Sequence, residues 1–371
     1  MDKHLHIVSF NVPLPADYGG IIDVYYRMKS LAEAGVKIHL HCFTYGRAEA
    51  SELERYCVEV RYYRRDTSLW RKLGRRPYIV SSRDSGELRQ RLAADDYPIL
   101  LEGLHCCSLL EHEEFRGRNI MVRAHNVEAD YYGLLARSER LPWRAAFHRV
   151  EAFRLRCYEP ILARATTVLA VSEADRRRFE SMGCRNVTVL TSSHPFSQVR
   201  SQTGSGDYVL YHGNLAVAEN YRAVMFLLEN VFHDGRWPFV VAGNEPPEWL
   251  RRKIAKHTGV SLVANPDDET MQRLVSEAQV NLLYTSQPTG LKLKLLNSLF
   301  SGRHCLVNSA MVAGTGLAGL CCVADDAASM RQALESLMAT PFDTSQIELR
   351  TRELHLLVPS VANSKIVNLL T

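Results

Sequence analysis

Tyr208 to Asn244 reads YVLYHGNLAVAENYRAVMFLLENVFHDGRWPFVVAGN. An apolar run closes on His212-Gly213-Asn214, and a helical pattern opens at Asn220. A second apolar run, FVVA, then closes on Gly243-Asn244-Glu245. Strand, turn, helix, strand is the repeating unit of a parallel sheet, because strands that run the same way need a crossover between them. The same alternation runs along most of the chain. HLHIVSF leads through a Gly-Gly turn into the helix GIIDVYYRMKSLAEAG, which Gly35 closes as a C-cap, and KIHLHCF is the next strand. YPILLEGL, NIMVRAHN, TTVLAVS, VTVLT, VSLVAN, VNLLYT and HCLVN continue the series.

The expected fold class is therefore α/β, with two Rossmann-like doubly wound domains, for which 371 residues suffice. FSQVRSQTGSGD, from Phe196 to Asp207, is the one polar, glycine-containing joint. It sets the expected boundaries: residues 1–195, a linker at 196–206, and a second domain over 207–345. Residues 346–371 read as helices broken at Pro359. Doubly wound sheets bind ligands outside the carboxyl ends of their strands. An interdomain cleft is expected there, lined by residues that directly follow strands.

The net charge of +4 is modest, and the nine cysteines show no metal-type spacing. MDKHLHIVSF enters a strand pattern directly, without a signal-peptide layout, and no run approaches the roughly 18 apolar residues of a membrane span. The expectation is a cytoplasmic protein with reduced thiols. RYYRRDTSLWRKLGRRPY, Arg61 to Tyr78, gathers seven basic residues around Trp70. A solvated surface and an anionic membrane surface are the two main readings. Nucleic acid ranks behind them, since no nucleic-acid motif accompanies the cluster.

Several positions could carry chemistry. Gly314 to Gly319, GTGLAG, fits a dinucleotide pattern, but LCCVADD follows it as a strand where the motif needs a helix. Gly19 and Gly20 stand where backbone can approach a phosphate or sugar at a helix start, or merely form a tight turn. His125 and Asn126 directly follow the strand NIMVRA, and Glu102, with His105 nearby, ends another strand. In QPTGLKLKLLNSLFSGRHCLVN, Gln287 to Asn308, the turn at Gly290 opens a leucine-rich helix. Counting about 100° per residue sets Lys294 and Asn297 on one face, opposite Leu295 and Leu299, with Lys292 at the rim. Lysines at a helix start, where the backbone dipole is already positive, suit an anion such as a diphosphate.

Taken together, the Gly19-Gly20 loop, VRAHN, ATTVLAVSEADRRRF, YHGNL, FVVAG and TGLKLKLLNSLFSGRHCLVN resemble, in this order, the retaining GT-B glycosyltransferases of the large bacterial family-4 type. The resemblance covers nearly the whole chain. It implies a UDP- or GDP-type nucleotide-sugar donor and a glycan or lipid-linked acceptor, in surface-polysaccharide synthesis. It implies no metal and no other cofactor. The donor would meet Gly19, Gly20, Gly213, Asn214, Gly243, Gly290, Lys292, Lys294 and Asn297. His125 would lie by the transferred sugar, Glu102 is a second catalytic candidate that would contact the acceptor, and Asn126 and His105 would also face the acceptor. The resemblance further implies that the last helix crosses back to the N-terminal domain. With the Arg61–Tyr78 cluster read as a membrane contact, the expected place is peripheral, at the inner face of a membrane.

Two departures stand out. The arginine and lysine that hold the donor diphosphate in the family are missing from HGNLAVAENYR, where Arg222 falls a turn too late. Asn297 occupies the place of the family's ribose-binding glutamate. A non-catalytic nucleotide-sugar-binding or assembly subunit and a GT-B epimerase are therefore carried as alternatives.

Overall fold

A computed structural model of the protein describes residues 2–139, 141–286 and 293–370. The chain divides into two compact units, Met1–Pro195 with Pro359–Thr371, and Phe196–Val358.

In the first unit, strands β1 (His4–Ser9), β2 (Lys37–Thr44), β3 (Glu59–Arg64), β4 (Ile99–Glu102), β5 (Ile120–Ala124), β6 (Thr167–Ala170) and β7 (Val187–Val189) form one sheet. Its order is β3-β2-β1-β4-β5-β6-β7, parallel throughout. β4, β5 and β6 are buried along their whole length, which is why they read as unbroken apolar runs. Helix α1 (Gly19–Glu33) packs through Ile21, Val24, Met28 and Leu31, a helical spacing, and Gly35 at φ +85° ends it. Helices α2 (Leu69–Leu73), α3 (Glu128–Ser138) and α4 (Pro142–Tyr158) follow.

β3 corrects the reading of Arg61–Tyr78 as a single basic surface. Residues Glu59–Arg64 are the edge strand of this sheet, and Tyr63 is buried in it. Of its seven basic residues, Arg61 and Arg64 lie on the edge strand, Arg71 and Lys72 on the short helix α2, and Arg65, Arg75 and Arg76 in the connections.

The second unit carries β8 (Val209–His212), β9 (Phe239–Gly243), β10 (Val260–Ala264), β11 (Val280–Leu283), β12 (His304–Val307) and β13 (Cys322–Val323). Their order, β10-β9-β8-β11-β12-β13, is the 3-2-1-4-5-6 arrangement of a dinucleotide-type sheet. Helices α5 (Ala218–Asn230), α6 (Asp268–Glu277), α7 (Leu293–Ser301) and α8 (Thr344–Leu354) belong to it. α7 buries Leu295, Leu296, Leu299 and Phe300. GTGLAG ends within a single short helical turn, Ala318–Leu320, that leads straight into β13, so no longer helix opens there to receive a pyrophosphate.

The joint at 196–206 is packed in place. Phe196 stacks on Phe300 with ring centres 5.6 Å apart, and Gly204 pairs through its backbone with Phe342. α8 stays within this unit, where Arg350 Nη1 donates to the carbonyls of Leu299 and Gly302 at 3.2 and 2.6 Å. The chain rejoins the first unit at Pro359 and not at Gln346. Asn119 Nδ2 there donates to the Leu369 carbonyl at 2.7 Å, and Lys3 Nζ to that of Val367 at 2.9 Å.

Candidate active site

Strand order in the first sheet reverses between β1 and β4, the place where such sheets bind ligands. Five ionisable side chains meet there. Glu102 is the last residue of β4, Arg123 lies opposite it on β5, and His125 leaves the end of β5. Asp23 and Arg27 come from the first turns of α1, four residues apart. Glu102 Oε1 accepts from Arg27 Nε at 2.9 Å, and its Oε2 lies 2.9 Å from His125 Nε2. Asp23 Oδ2 accepts from Arg123 Nε at 3.0 Å and lies 3.4 Å from His125 Nδ1. Arg123 also donates to the carbonyls of Leu169, Ala170 and Leu190, which fixes its guanidinium against β6 and the chain after β7.

Burial alone would raise the Asp23 pKa, but the Arg123 and Arg27 guanidinium groups and the His125 bond hold it well below the carboxylate range. Burial pushes Glu102 the same way, and Arg27 and His125 likewise turn it downward. His125 is the mirror case. Burial opposes its charge, but bonds to Asp23 and Glu102 outweigh burial and raise its pKa. A protonated His125 gives the group three positive and two negative charges, a sum of +1. Of the five, His125 alone keeps appreciable exposure, 11% against 0–1%. Any ligand that meets this cluster meets His125.

Three sequence expectations change here. Glu102 is fully buried, with one oxygen on Arg27 and the other on His125, so its carboxylate is engaged within the cluster. His125 has both ring nitrogens turned to carboxylates, and what it offers a ligand is its charge and ring edge. His105 is neutral, since burial, Arg83 and His125 push its pKa well down. Its Nδ1 is buried without a hydrogen-bond partner among the described residues. Asn126 is exposed beside these groups.

The surrounding shell is tight. The Phe10 ring meets His125 edge-on with ring centres 5.6 Å apart, and lies tilted by 30° to His105 at 5.1 Å. Gly103, at φ +83°, leaves no room for a side chain, because a Cβ would stand 2.8 Å from His105 Nδ1. Gly19 opens α1 with no side-chain cap on the helix start. A Cβ on Gly19 would meet nothing, whereas one on Gly20 would come 3.2 Å from Phe10 Cζ. The Gly-Gly pair thus places the first turn of α1, whose opening amides have no intrahelical partner, next to the Phe10–His125 contact.

Glu128 opens α3 just beyond Asn126. Burial, only partly offset by His125 and Asn126, raises its pKa to about 7, and nearby Glu159 adds to the rise. A buried acid with a raised pKa destabilises the fold increasingly as pH climbs from its unfolded value toward the folded one. Glu128→Gln is expected to raise the melting temperature at pH 8, by up to roughly 3 kcal/mol of stability. The gain should vanish by pH 4.5. Melting curves across that range check it, and a gain independent of pH would contradict it.

In the second sheet the strand order reverses between β8 and β11. Gly213 and Asn214 follow β8, and β9 ends at Gly243 so close by that a Cβ there would stand 1.8 Å from the Gly213 carbonyl oxygen. Asn220, in the first turn of α5, links the cluster. Its Nδ2 donates to the Asn214 carbonyl at 2.8 Å, and its Oδ1 accepts from Tyr211 Oη at 3.2 Å and Lys294 Nζ at 3.1 Å. Lys294 Nζ also lies 5.3 Å above the Tyr211 ring. Burial, with Lys294 nearby, pushes His212 down to about 3, so it stays neutral against Ser298 Oγ at 3.3 Å. Thr285, after β11, donates to Glu219. Asn297 takes another direction, accepting from Gln272 Nε2 of α6 at 3.2 Å. Gly290 and Lys292 lie outside the described residues.

Sequence reasoning passed over Phe10, Asp23, Arg27, Gly103, Arg123 and Glu219. The Asp23–Arg27 spacing was a visible signal, since opposite charges four apart on a helix pair up.

Two parallel α/β units of seven and six strands, each with its polar cluster at the strand reversal, define a GT-B fold. Solved structures match it along the whole chain. The sucrose-phosphate synthase of Thermosynechococcus elongatus aligns with TM-score 0.67 at 13% identity, over 99% of each chain. HepE of Anabaena, solved with UDP and glucose, aligns at 0.64 and 11%, over 100% of this chain and 99% of its own. The lipopolysaccharide outer core galactosyltransferase WaaB aligns at 0.64 and 12%, over 99% of each. In sequence, the chain is 26% identical over 330 residues to an uncharacterised 44.6 kDa protein in the cps region of Klebsiella pneumoniae, covering 84% of both. No family model matches. The chain is thus similar in fold to GT-B glycosyltransferases from end to end. Among the described residues, no helix is long and apolar enough to cross a membrane.

Proposed function

We propose that the protein is a glycosyltransferase that moves a sugar from a UDP- or GDP-type donor to a glycan or lipid-linked acceptor, with retention, in bacterial surface-polysaccharide synthesis. The observation that carries the reading is the full-length match to the fold of solved glycosyltransferases, with a polar cluster at the strand reversal of each sheet. The similarity to a protein of a cps region supports the polysaccharide role.

In this reading the second unit holds the donor through the backbone at Gly213, Asn214 and Gly243, with Lys294 as the cation for its diphosphate. Lys294 stands in for the basic pair missing from HGNLAVAENYR. The first unit gives the reaction His125, whose charge Asp23 and Glu102 sustain. The bond from the anomeric carbon to the diphosphate oxygen breaks as the acceptor oxygen bonds on the same face. The acceptor proton passes to the leaving diphosphate. Catalysis is then positioning together with stabilisation of the leaving charge.

The test is nucleotide release from UDP- and GDP-sugars with and without lipid-linked glycan acceptors, followed by proton NMR of the product anomer. Acceptor-dependent release and an unchanged anomeric configuration are expected. Epimerised donor without transfer would establish an epimerase, and binding without turnover a non-catalytic subunit.

A further inference from the structure

The nine cysteines are all free thiols, and two of them stand side by side in the second unit. β12 and β13 run parallel, with Leu306 opposite Cys322 and Val307 opposite Val323. One step back along both strands, Cys305 faces Cys321. Their side chains share one face of the sheet, packed with Leu299 and Leu354, while Leu306 and Cys322 turn to the other face with Leu334. Neighbouring strands lie about 4.8 Å apart, within the roughly 4.4–6.8 Å between Cα atoms that a disulfide spans. Both cysteines line a cavity of about 240 Å³ together with His304, Phe342, Gln346 and Arg350. Cys305 is buried and Cys321 is half-buried. Arg350 is buried as well, with its guanidinium 4.6 Å over the Phe342 ring. Besides the carbonyls of Leu299 and Gly302, it donates to Ser201 Oγ at 3.0 Å and to the Arg303 carbonyl. Among the described residues it has no carboxylate partner. Burial lowers its pKa to about 10, which leaves it a cation at neutral pH.

The two thiols are inequivalent. A hydrogen bond between them, with Cys305 as donor, and burial push the Cys305 pKa well up. The same bond lowers Cys321, with Arg350 helping against burial. Burial instead raises Cys42, Cys57, Cys106, Cys107 and Cys184. Thiolate is the reactive form, so a half-buried thiol beside a guanidinium and a second thiol has the make-up of an oxidisable pair. A metal does not fit the two sulfurs. His304 turns its Nε2 to the Thr340 carbonyl at 2.9 Å, and no three His, Cys, Asp or Glu side chains are grouped for a metal among the described residues. We propose that Cys321 and Cys305 form a redox-active dithiol that hydroperoxides oxidise to a disulfide, with Cys321 as the attacking thiol and Cys305 as the resolving one. The Cys321 thiolate attacks one peroxide oxygen, the O–O bond breaks, and the departing hydroxide takes up a proton to leave as water. The Cys305 sulfur then attacks the Cys321 sulfenic acid. Its S–O bond breaks, and a second water leaves with the Cys305 proton. Two thiols are oxidised while one hydrogen peroxide is reduced to two waters. The chemistry needs neither donor nor acceptor, so the proposal stands apart from the transferase reading.

The test is hydrogen peroxide in slight molar excess on the reduced wild type, followed by N-ethylmaleimide and non-reducing digestion with trypsin. Cys305, Cys321 and Cys322 stay on one peptide, His304–Arg331. That peptide is expected to lose two hydrogens and to carry a single maleimide, on Cys322. At pH 7 the disulfide should form about tenfold faster than the exposed Cys157 is consumed. Cys305→Ser should stop at a sulfenic acid on Cys321, which dimedone traps, and Cys321→Ser should leave Cys305 reduced. Three maleimides on the wild-type peptide after peroxide would overturn the proposal, and so would a bond between Cys321 and Cys322. Consumption of Cys157 first, with cross-linked dimers as the product, would overturn it too. The wild-type peptide decides each of these outcomes without any variant. A dimedone adduct on Cys305 in Cys321→Ser would contradict the assignment of attacking and resolving thiols.

Discussion

Glu102→Ala is expected to cost about 3–5 kcal/mol of stability, because it strands Arg27 and His125 in a buried site short of one negative charge. Glu102→Gln should cost less and reveal more. The amide keeps the shape and can bond Arg27 or His125, but it no longer sustains the imidazolium, so the His125 pKa should fall. In the wild type the raised His125 pKa contributes stability that is complete below about pH 6.5. That contribution is lost as pH rises through the folded value. Asp23 and Glu102, with lowered values, contribute above about pH 4 and lose their share as pH falls through their folded pKa values. Urea unfolding at pH 6 and pH 8 reads the first effect. The wild type should weaken between these conditions more than Glu102→Gln does. NMR titration of the His125 ring protons gives the pKa itself. If His125 titrates alike in both proteins, Glu102 does not position it.

Gly243→Ala should be at least as damaging, though it removes no contact. The new methyl would stand 1.8 Å from the Gly213 carbonyl oxygen, backbone that can yield only by separating β8 from β9. A loss above about 4 kcal/mol is expected, at the extreme of single substitutions. Gly19→Ala is the control, since its Cβ meets nothing. It should change stability by no more than about 1 kcal/mol. Thermal unfolding of the two variants checks the contrast, and similar melting temperatures would contradict the close approach of β9 to Gly213.

The strands that build each sheet were legible because parallel strands, buried on both faces, leave unbroken apolar runs that end on polar residues. β3 escaped because EVRYYR is an edge strand with arginines turned to solvent, and composition read it as basic surface. The five-residue cluster was only half legible. His125 and Glu102 stand at strand ends, where the topology alone marks them. Asp23 and Arg27 look like an ordinary surface pair of a helix, and nothing local says that the helix buries them against β4 and β5. Arg123 sits inside an apolar run, where its charge reads as an exception with no visible partner. The Lys294–Asn297 face was a correct count of helical angle, yet neighbours decide the contacts: Lys294 reaches Asn220 on α5 and Asn297 reaches Gln272 on α6.

Donor binding on the second unit is the claim on which the functional account rests. Thermal unfolding in the presence of UDP-, GDP-, ADP-, CMP- and dTDP-sugars, for the wild type and Lys294→Ala, tests it most directly. Saturation a hundredfold above the dissociation constant adds about 2.7 kcal/mol, which is several degrees for units of this size. The account predicts such a shift for UDP- or GDP-sugars, and its loss in Lys294→Ala. No shift with any donor, or a shift that Lys294→Ala leaves intact, would contradict it.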